Sequence, residues 1–331
     1  MFQGLKELTA AKGRTLLITV TVGLIAVLVT FLSALTAGLG HQSVSALKDL
    51  AGDRDLILAD SGSTTLSAST LSDTAVAELD AEGADMLWQV RDRVGDTPVM
   101  LLNSPELSPG EISLPAEMDP TAATTQFHAT SIVDTANDLY LDHLPVVLMN
   151  TSDLSHLAQI RGVQGPAGAF LDSSDSTDSS DPEALPADTI ALSGSDRWNA
   201  SASYEGEQMS LNLMVIMLYV ISALVLGAFF TVWTIQRLRG IAISSALGAA
   251  RRVLIADALG QAVIVLAIGI IVGTSITILS ALGMGDAMPV VIDSSTTLLP
   301  ALILAAAGLI GAAISLAPIL RVEPRSALMT A

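Results

Sequence analysis

The chain has 331 residues, 51% hydrophobic and only 15% charged, with a formal net charge of −18. That composition is too apolar for a soluble protein of this size and fits a polytopic membrane protein. Its acidic balance argues against nucleic acid as a partner. With no cysteine, disulfides and thiolate metal sites are excluded.

Residues 1–14 open on a cytoplasmic segment. Phe2, Leu5 and Leu8 share a helical face there, with Lys6 and Lys12 elsewhere. Either an amphipathic helix on the inner membrane surface or a frayed terminus satisfies this pattern. Residues 15–40 form the first apolar stretch. It is longer than the 7–15 residues of a signal-peptide core, which predicts a retained anchor. Thr30, Ser33, Ala34, Ala37 and Gly38 make a stripe of small residues, suited either to a dimer face or to packing within one subunit.

Residues 41–208 carry 28 acidic and six basic side chains and read as an inserted mixed α/β domain. Strands are predicted over Asp55–Ala59, 99–102 and 146–149. A helix is predicted over 75–94 despite Gly83, and a second over 152–160 capped by Ser152 or Asp153. Ser- and Asp-rich residues 172–188 read as a mobile loop, without the ordered ligand spacing of a calcium loop. His128, His143 and His156 read as surface or capping residues, whereas His41 sits where membrane meets water.

Three further apolar stretches follow at 209–236, 253–282 and 297–320, each long enough to cross a bilayer as a helix. Between them lie 237–252 and 283–296, and 321–331 forms a tail. Basic residues outside the inserted domain flank the spans: Lys6, Lys12 and Arg14, then Arg237, Arg239, Arg251 and Arg252, then Arg321 and Arg325. By the positive-inside rule both termini and 237–252 are cytoplasmic, and 41–208 is extracytoplasmic in the plasma membrane. The predicted fold class is therefore an α-helical membrane protein with four transmembrane helices and one mixed α/β extracytoplasmic domain between helices 1 and 2.

The sequence lacks G-x-S-x-G, H-E-x-x-H, dinucleotide and P-loop signatures, so no catalytic residue and no intrinsic cofactor or metal is predicted. If ATP drives this protein, a separate polypeptide binds it. The segment Ile235–Val253, IQRLRGIAISSALGAARRV, sets Ile241, Ile243 and Leu247 between basic ends. That arrangement suits either a docking helix or a plain surface helix.

Here the chain resembles the FtsX/MacB-type ABC transporter permeases. An Ala246-Leu247-Gly248-Ala249 turn precedes Arg251-Arg252 and the third span. Arg321-Val322-Glu323-Pro324-Arg325-Ser326-Ala327-Leu328 is similar to the family's closing motif, and the one-plus-three helix layout matches. GAFFTVWTIQR at 227–237, DALGQ at 257–261 and DLILADSGSTTLSASTL at 55–71 look most like the haem exporter permease subunit, the HrtB type. The resemblance implies a homodimer bound to two copies of a soluble ABC ATPase, docked through Arg237, Arg239, Ile243, Leu247, Gly248, Arg251 and Arg252. It implies motion passed through the spans as a lever. A signalling permease controlling an extracellular cell-wall hydrolase, an exporter of lipoprotein, peptide or antibiotic, and a membrane-anchored binding domain remain as alternatives.

A site for haem, taken from membrane lipid, needs apolar walls, an iron ligand and a polar rim. The start of the second span offers Tyr204, Glu205, Glu207, Met209, Met214 and Met217, with His41 at similar depth. Glu207, Ser210, Met214 and Met217 fall on one helix face. Methionine is equally a gap-filler of apolar packing. Asp257, one turn into the third span, reads as snorkelling or as pairing with Arg251 or Arg252.

Overall fold

The computed structural model describes residues 12–172, 185–246, 250–285 and 288–316. They fall into two compact units: one of the membrane helices, and one spanning Leu39–Ser210. Four helices are long and apolar enough to cross a membrane: α1 (Lys12–Ala51), α5 (Ala202–Ala246), α6 (Arg251–Met284) and α7 (Ser294–Ser315). A mixed α/β region lies between the first two, so the fold is the four-helix membrane protein with an inserted domain.

The inserted unit contains β1 (Asp55–Ala59), α2 (Asp73–Ala81), β2 (Asp85–Leu87), β3 (Gln89–Val94), β4 (Thr97–Ser104), β5 (Glu111–Pro115) and α3 (Pro120–Phe127). It continues through β6 (Ser131–Asn137), β7 (Tyr140–Leu141), β8 (Leu144–Asn150), α4 (Thr151–Ile160), β9 (Gly168–Leu171) and β10 (Thr189–Leu192). One sheet runs β10-β1-β9-β2 and the other β3-β4-β8-β5-β6, with β7 paired to β8. β4 and β8 are parallel neighbours, with Leu101 opposite Val147.

Strand alternation sorts the apolar side chains into three cores. Leu56, Leu58, Met100, Leu102, Val146 and Leu148 meet in a central core. Val99, Leu101, Val147 and Met149, on the opposite face of their sheet, meet Ala123 of α3 and Leu154 of α4. Ile57 and Ala169 face Leu79 of α2. The end of α1 belongs to the central core: Val44, Ala46, Leu47 and Ala51 are all buried in it. Helix α1 thus outruns its apolar stretch and finishes as a core element.

Its last carbonyls are capped by two guanidinium groups, as the negative end of a helix favours. Arg54 donates to Leu50 and Ala51 at 2.6 and 3.3 Å, and Arg197 donates to Gly52 at 3.0 Å and also to the Arg54 carbonyl. Arg54 pairs with Asp85, while Arg197 stacks 4.7 Å from the Trp198 ring centroid.

Two sequence expectations are overturned. The helix expected over 75–94 ends at Ala81, and 85–94 forms β2 and β3. Gly83 adopts φ +80°, and Ala84 donates back to Leu79 at 3.0 Å, which closes the helix. A residue with no Cβ enters this left-handed geometry without cost. Beyond it Val90 and Val94 turn inward while Arg91 and Arg93 face out. The capping residue of α4 is Asn150 rather than Ser152 or Asp153; Asp153 instead accepts from the Gly110 amide at 2.6 Å. Of the expected loop over 172–188, residues 173–184 lie outside the described residues.

In the membrane unit the helices approach through small residues. A Cβ on Gly273 would sit 2.4 Å from the Gly23 carbonyl oxygen and 2.7 Å from Ala26, so α6 lies directly on α1. Gly227 and Gly311 bring α5 against α7, and Leu266 fills the gap at Gly308. The stripe on α1 serves this chain itself: Thr30 and Ala34 are buried, the Ala34 carbonyl accepts from Val291 at 3.2 Å, and Gly38 abuts Pro289. Asp293 caps α7 by accepting from Ser295 and Thr296, and these bonds hold its carboxyl below the usual carboxylate range. The cap is therefore complete at neutral pH and is lost only as pH falls through that depressed value.

Two outcomes follow from this packing. Gly273→Leu forces α6 off α1 and lowers the thermal midpoint of the solubilised protein, at a cost of about 1–3 kcal/mol; Gly260→Ala, with open space around the added methyl, leaves it unaltered. Asp55 is buried, and desolvation raises its pKa against the opposing attraction of Arg197. Its ionised form thus opposes folding above the raised value, and that penalty vanishes as pH falls below the ordinary carboxylate range. Asp55→Asn is expected to raise the unfolding midpoint of the inserted unit at neutral pH, with the advantage disappearing on acidification.

Candidate functional site

The polar groups nearest the predicted substrate residues converge on one hairpin turn. β7 and β8 pair Leu141 with Leu144, leaving Asp142 and His143 as a two-residue loop. Their φ angles are 51° and 62°. Two successive positive φ values define the turn type that suits a tight hairpin, normally filled by Asn-Gly or Asp-Gly. A side-chain-bearing residue in this region costs roughly 1–2 kcal/mol, so the surroundings must hold it there.

They do so from two helices. On α1, the carbonyls of Ser43 and Gln42 accept from the Asp142 and His143 amides at 3.1 and 2.9 Å. One turn on, the Ser45 hydroxyl accepts from the Tyr140 amide at 2.7 Å. On α5, Asp142 accepts from the Ser201 and Ser203 hydroxyls at 2.7 and 3.2 Å and from the Ser203 amide at 3.3 Å. It thereby satisfies part of the unpaired, positive N-terminus of that helix. Arg91 adds a longer contact at 3.4 Å. His143 Nε2 lies 3.0 and 3.1 Å from the two carboxylate oxygens of Glu207. Gly40 lets the helices close in here: a Cβ would sit 2.6 Å from the Gln208 amide nitrogen and 3.8 Å from the Tyr204 ring.

Three of the expected substrate residues lie on the helices that hold the turn, each with a partner of its own. His41 donates to the Asp138 carbonyl at 2.9 Å, lies 3.1 Å from its carboxylate and meets Tyr140 edge-on at 6.1 Å. Tyr204 packs against the central core. Glu207 is held by His143. Glu205, next to Tyr204, is exposed, and Met209 is 80% exposed. Met214 and Met217 continue along the unbroken α5 in the membrane unit, and both are exposed. Sequence reading missed Asp142, Ser201 and Ser203 and assigned His143 to the surface. Asp-His between two leucines carries no turn signal of its own, since neither residue is glycine.

The expected coupling residues fall differently. Arg237, Arg239 and Ile243 lie on the last turns of α5, which runs on to Ala246 rather than breaking into a separate short helix. Leu247 and Gly248 lie outside the described residues. Arg251 opens α6, and Arg252 is exposed. Asp257 accepts from Gln261 at 3.1 Å. Nearby, Phe230, Trp233, Thr234, Gln261 and Ser315 line a small crevice, where the Thr234 and Ser315 hydroxyls meet at 3.1 Å. Among the described residues no group of three His, Asp or Glu side chains is placed to hold a metal ion.

No protein-family model matches the chain. Curated relatives do. A protein of Staphylococcus haemolyticus with the provisional name hemin transport system permease protein HrtB is 27% identical over 348 residues, covering 98% of this chain and 97% of its own. Proteins of the same name from two strains of Staphylococcus epidermidis are 26% and 25% identical, with the same coverage. This chain resembles HrtB-type permeases from end to end. The likeness read at 55–71, in the 235–253 segment and in the tail is thus part of one that covers 98% of the chain, in a multi-pass membrane protein.

Asp142 is the residue whose loss the turn tolerates least. Asp142→Ala removes the acceptor of two hydroxyls and a helix-terminal amide, and is expected to cost about 1–2 kcal/mol in thermal unfolding. Asp142→Asn keeps a residue that accepts left-handed geometry and one acceptor oxygen, and loses less than half of that.

Proposed function

We propose that this chain is the membrane subunit of an ABC-type efflux pump that exports haem out of the membrane. It works as a homodimer with two copies of a soluble ATPase, and ATP binding by that partner supplies the motion. Both termini and 237–252 face the cytoplasm, by the distribution of Lys and Arg, and 41–208 lies outside. The observation that carries this reading is the likeness over 98% of the chain to proteins named for hemin transport. A second feature supports it: on α5, Met209, Met214 and Met217 present exposed thioethers at the end of the helix where Glu207, Tyr204 and Glu205 supply polar groups. Thioether, phenol and imidazole are each side chains that can hold haem iron, so the methionines, Tyr204 and His41 are candidate ligands, with the carboxylates as the polar rim.

Residues Arg237, Arg239, Ile243, Leu247, Gly248, Arg251 and Arg252 are the proposed contact with the ATPase. Motion received there reaches the inserted unit along α1 and α5, each of which is a single helix contributing to both units.

Two measurements test the two halves of this proposal. Combined Glu207→Gln, Met209→Leu and Met214→Leu is expected to weaken hemin binding, read from its absorption band in the purified complex, by about tenfold or more, equivalent to ~1.4 kcal/mol; unchanged titration removes the site. Leu247→Asp is expected to abolish copurification of the ATPase, and retention of the ATPase with full hydrolysis removes the docking segment.

A further inference from the structure

We propose that the Asp142–His143 turn is a substrate-responsive clasp between α1 and α5, whose His143–Glu207 half opens when haem takes Glu207. The proposal rests on the haem reading and adds to it a consequence for the protein.

The geometry divides the turn into a fixed half and a labile half. Its backbone amides grip α1 through Gln42 and Ser43, and the Asp142 carboxylate grips the first turn of α5 through Ser201 and Ser203. Asp142 is 12% exposed, so that grip is largely shielded from water. His143 and Glu207 are 31% and 43% exposed, and their contact is the outermost of the set. Two residues with side chains are kept at positive φ, where a glycine would sit freely. Strained backbone of this kind persists only where surrounding contacts hold it, and it concentrates at sites that switch.

Glu207 is at once a candidate ligand of the substrate and the partner of His143. A carboxylate accepts through two oxygens, and both lie within hydrogen-bond distance of the imidazole. Engaging iron or a porphyrin rim therefore competes with the clasp. Substrate occupancy and the tie between the helices become linked equilibria, each weakening the other by the same factor. The second turn of α5, which carries Glu207, would then be freed at the moment the site fills, while Asp142 keeps the first.

Hydrogen exchange of the full-length protein with its ATPase, followed in segment 204–210 with 139–146 as the internal control, tests the clasp with hemin as the probe. In the parent protein, hemin is expected to raise exchange in 204–210 several-fold as its absorption spectrum changes, and to leave 139–146 unaltered. His143→Gly leaves an Asp-Gly turn, which folds more readily than the parent, and is expected to show the raised exchange without hemin and no further rise with it. Glu207→Gln is expected to behave as His143→Gly in exchange while binding hemin less tightly. A spectral change with no change in exchange overturns the clasp and leaves the haem reading standing. Exchange in His143→Gly equal to that of the parent overturns it as well. Absence of any hemin spectral change removes the haem reading and the clasp's response together.

Discussion

The inserted unit depends on burying the last turns of α1. Val44, Ala46, Leu47 and Ala51 have no other place among the described residues than the core between the two sheets. Removing any one large side chain from such a core costs a few kcal/mol, because the surroundings collapse only in part. The helix end must also satisfy its terminal carbonyls, and Arg54 and Arg197 do so from two distant points of the chain. Residue 197 follows the last strand, so the unit is complete only when the chain has returned to the place where it left α1. Local order in α1 is in this way tied to the most remote contacts of the unit.

The membrane layout was legible because apolar length needs no knowledge of partners. A run of twenty apolar residues reads as a span in any context. Strands at 55–59, 99–102 and 146–149 were legible for a related reason: each is apolar on both faces, because each sheet is covered on both sides. The segment 75–94 misled because its apolar residues fit a helical period as well as an alternating one. Gly83 decided between them, through a left-handed backbone that composition does not announce. His41, Tyr204 and Glu207 were picked out from the sequence by their position at the ends of spans. Asp142 and His143 were not, since they reach the helices through pairings of about 60 and 100 residues' separation that no local pattern encodes.

The membrane unit is held together differently. Its contacts are close approaches of backbone at Gly23, Gly273, Gly227 and Gly311, with few directional bonds among the described residues. In lipid, where apolar surface gains little from meeting other apolar surface, such van der Waals contact is the main attraction between helices. Thr234, Ser315, Gln261 and Asp257 add a small polar group within it. Ionisable and amide side chains in this setting are costly unless they satisfy one another, and pairing Asp257 with Gln261 meets that requirement.

The same accounting separates the two residues of the hairpin turn. Asp142 is shielded and accepts from a helix terminus, two hydroxyls and Arg91, and these bonds together account for the ~1–2 kcal/mol expected on its removal. The His143–Glu207 contact is partly open to water, and pairs of that type contribute at most about 1 kcal/mol. The attachment of α5 therefore rests on Asp142. Under the proposed reading, Glu207 exchanges its partner for a ligand at a cost smaller than one good coordination bond repays, and the fold survives the exchange. A carboxylate held this way is oriented by its anchor yet able to leave it, which a residue buried like Asp142 could not do.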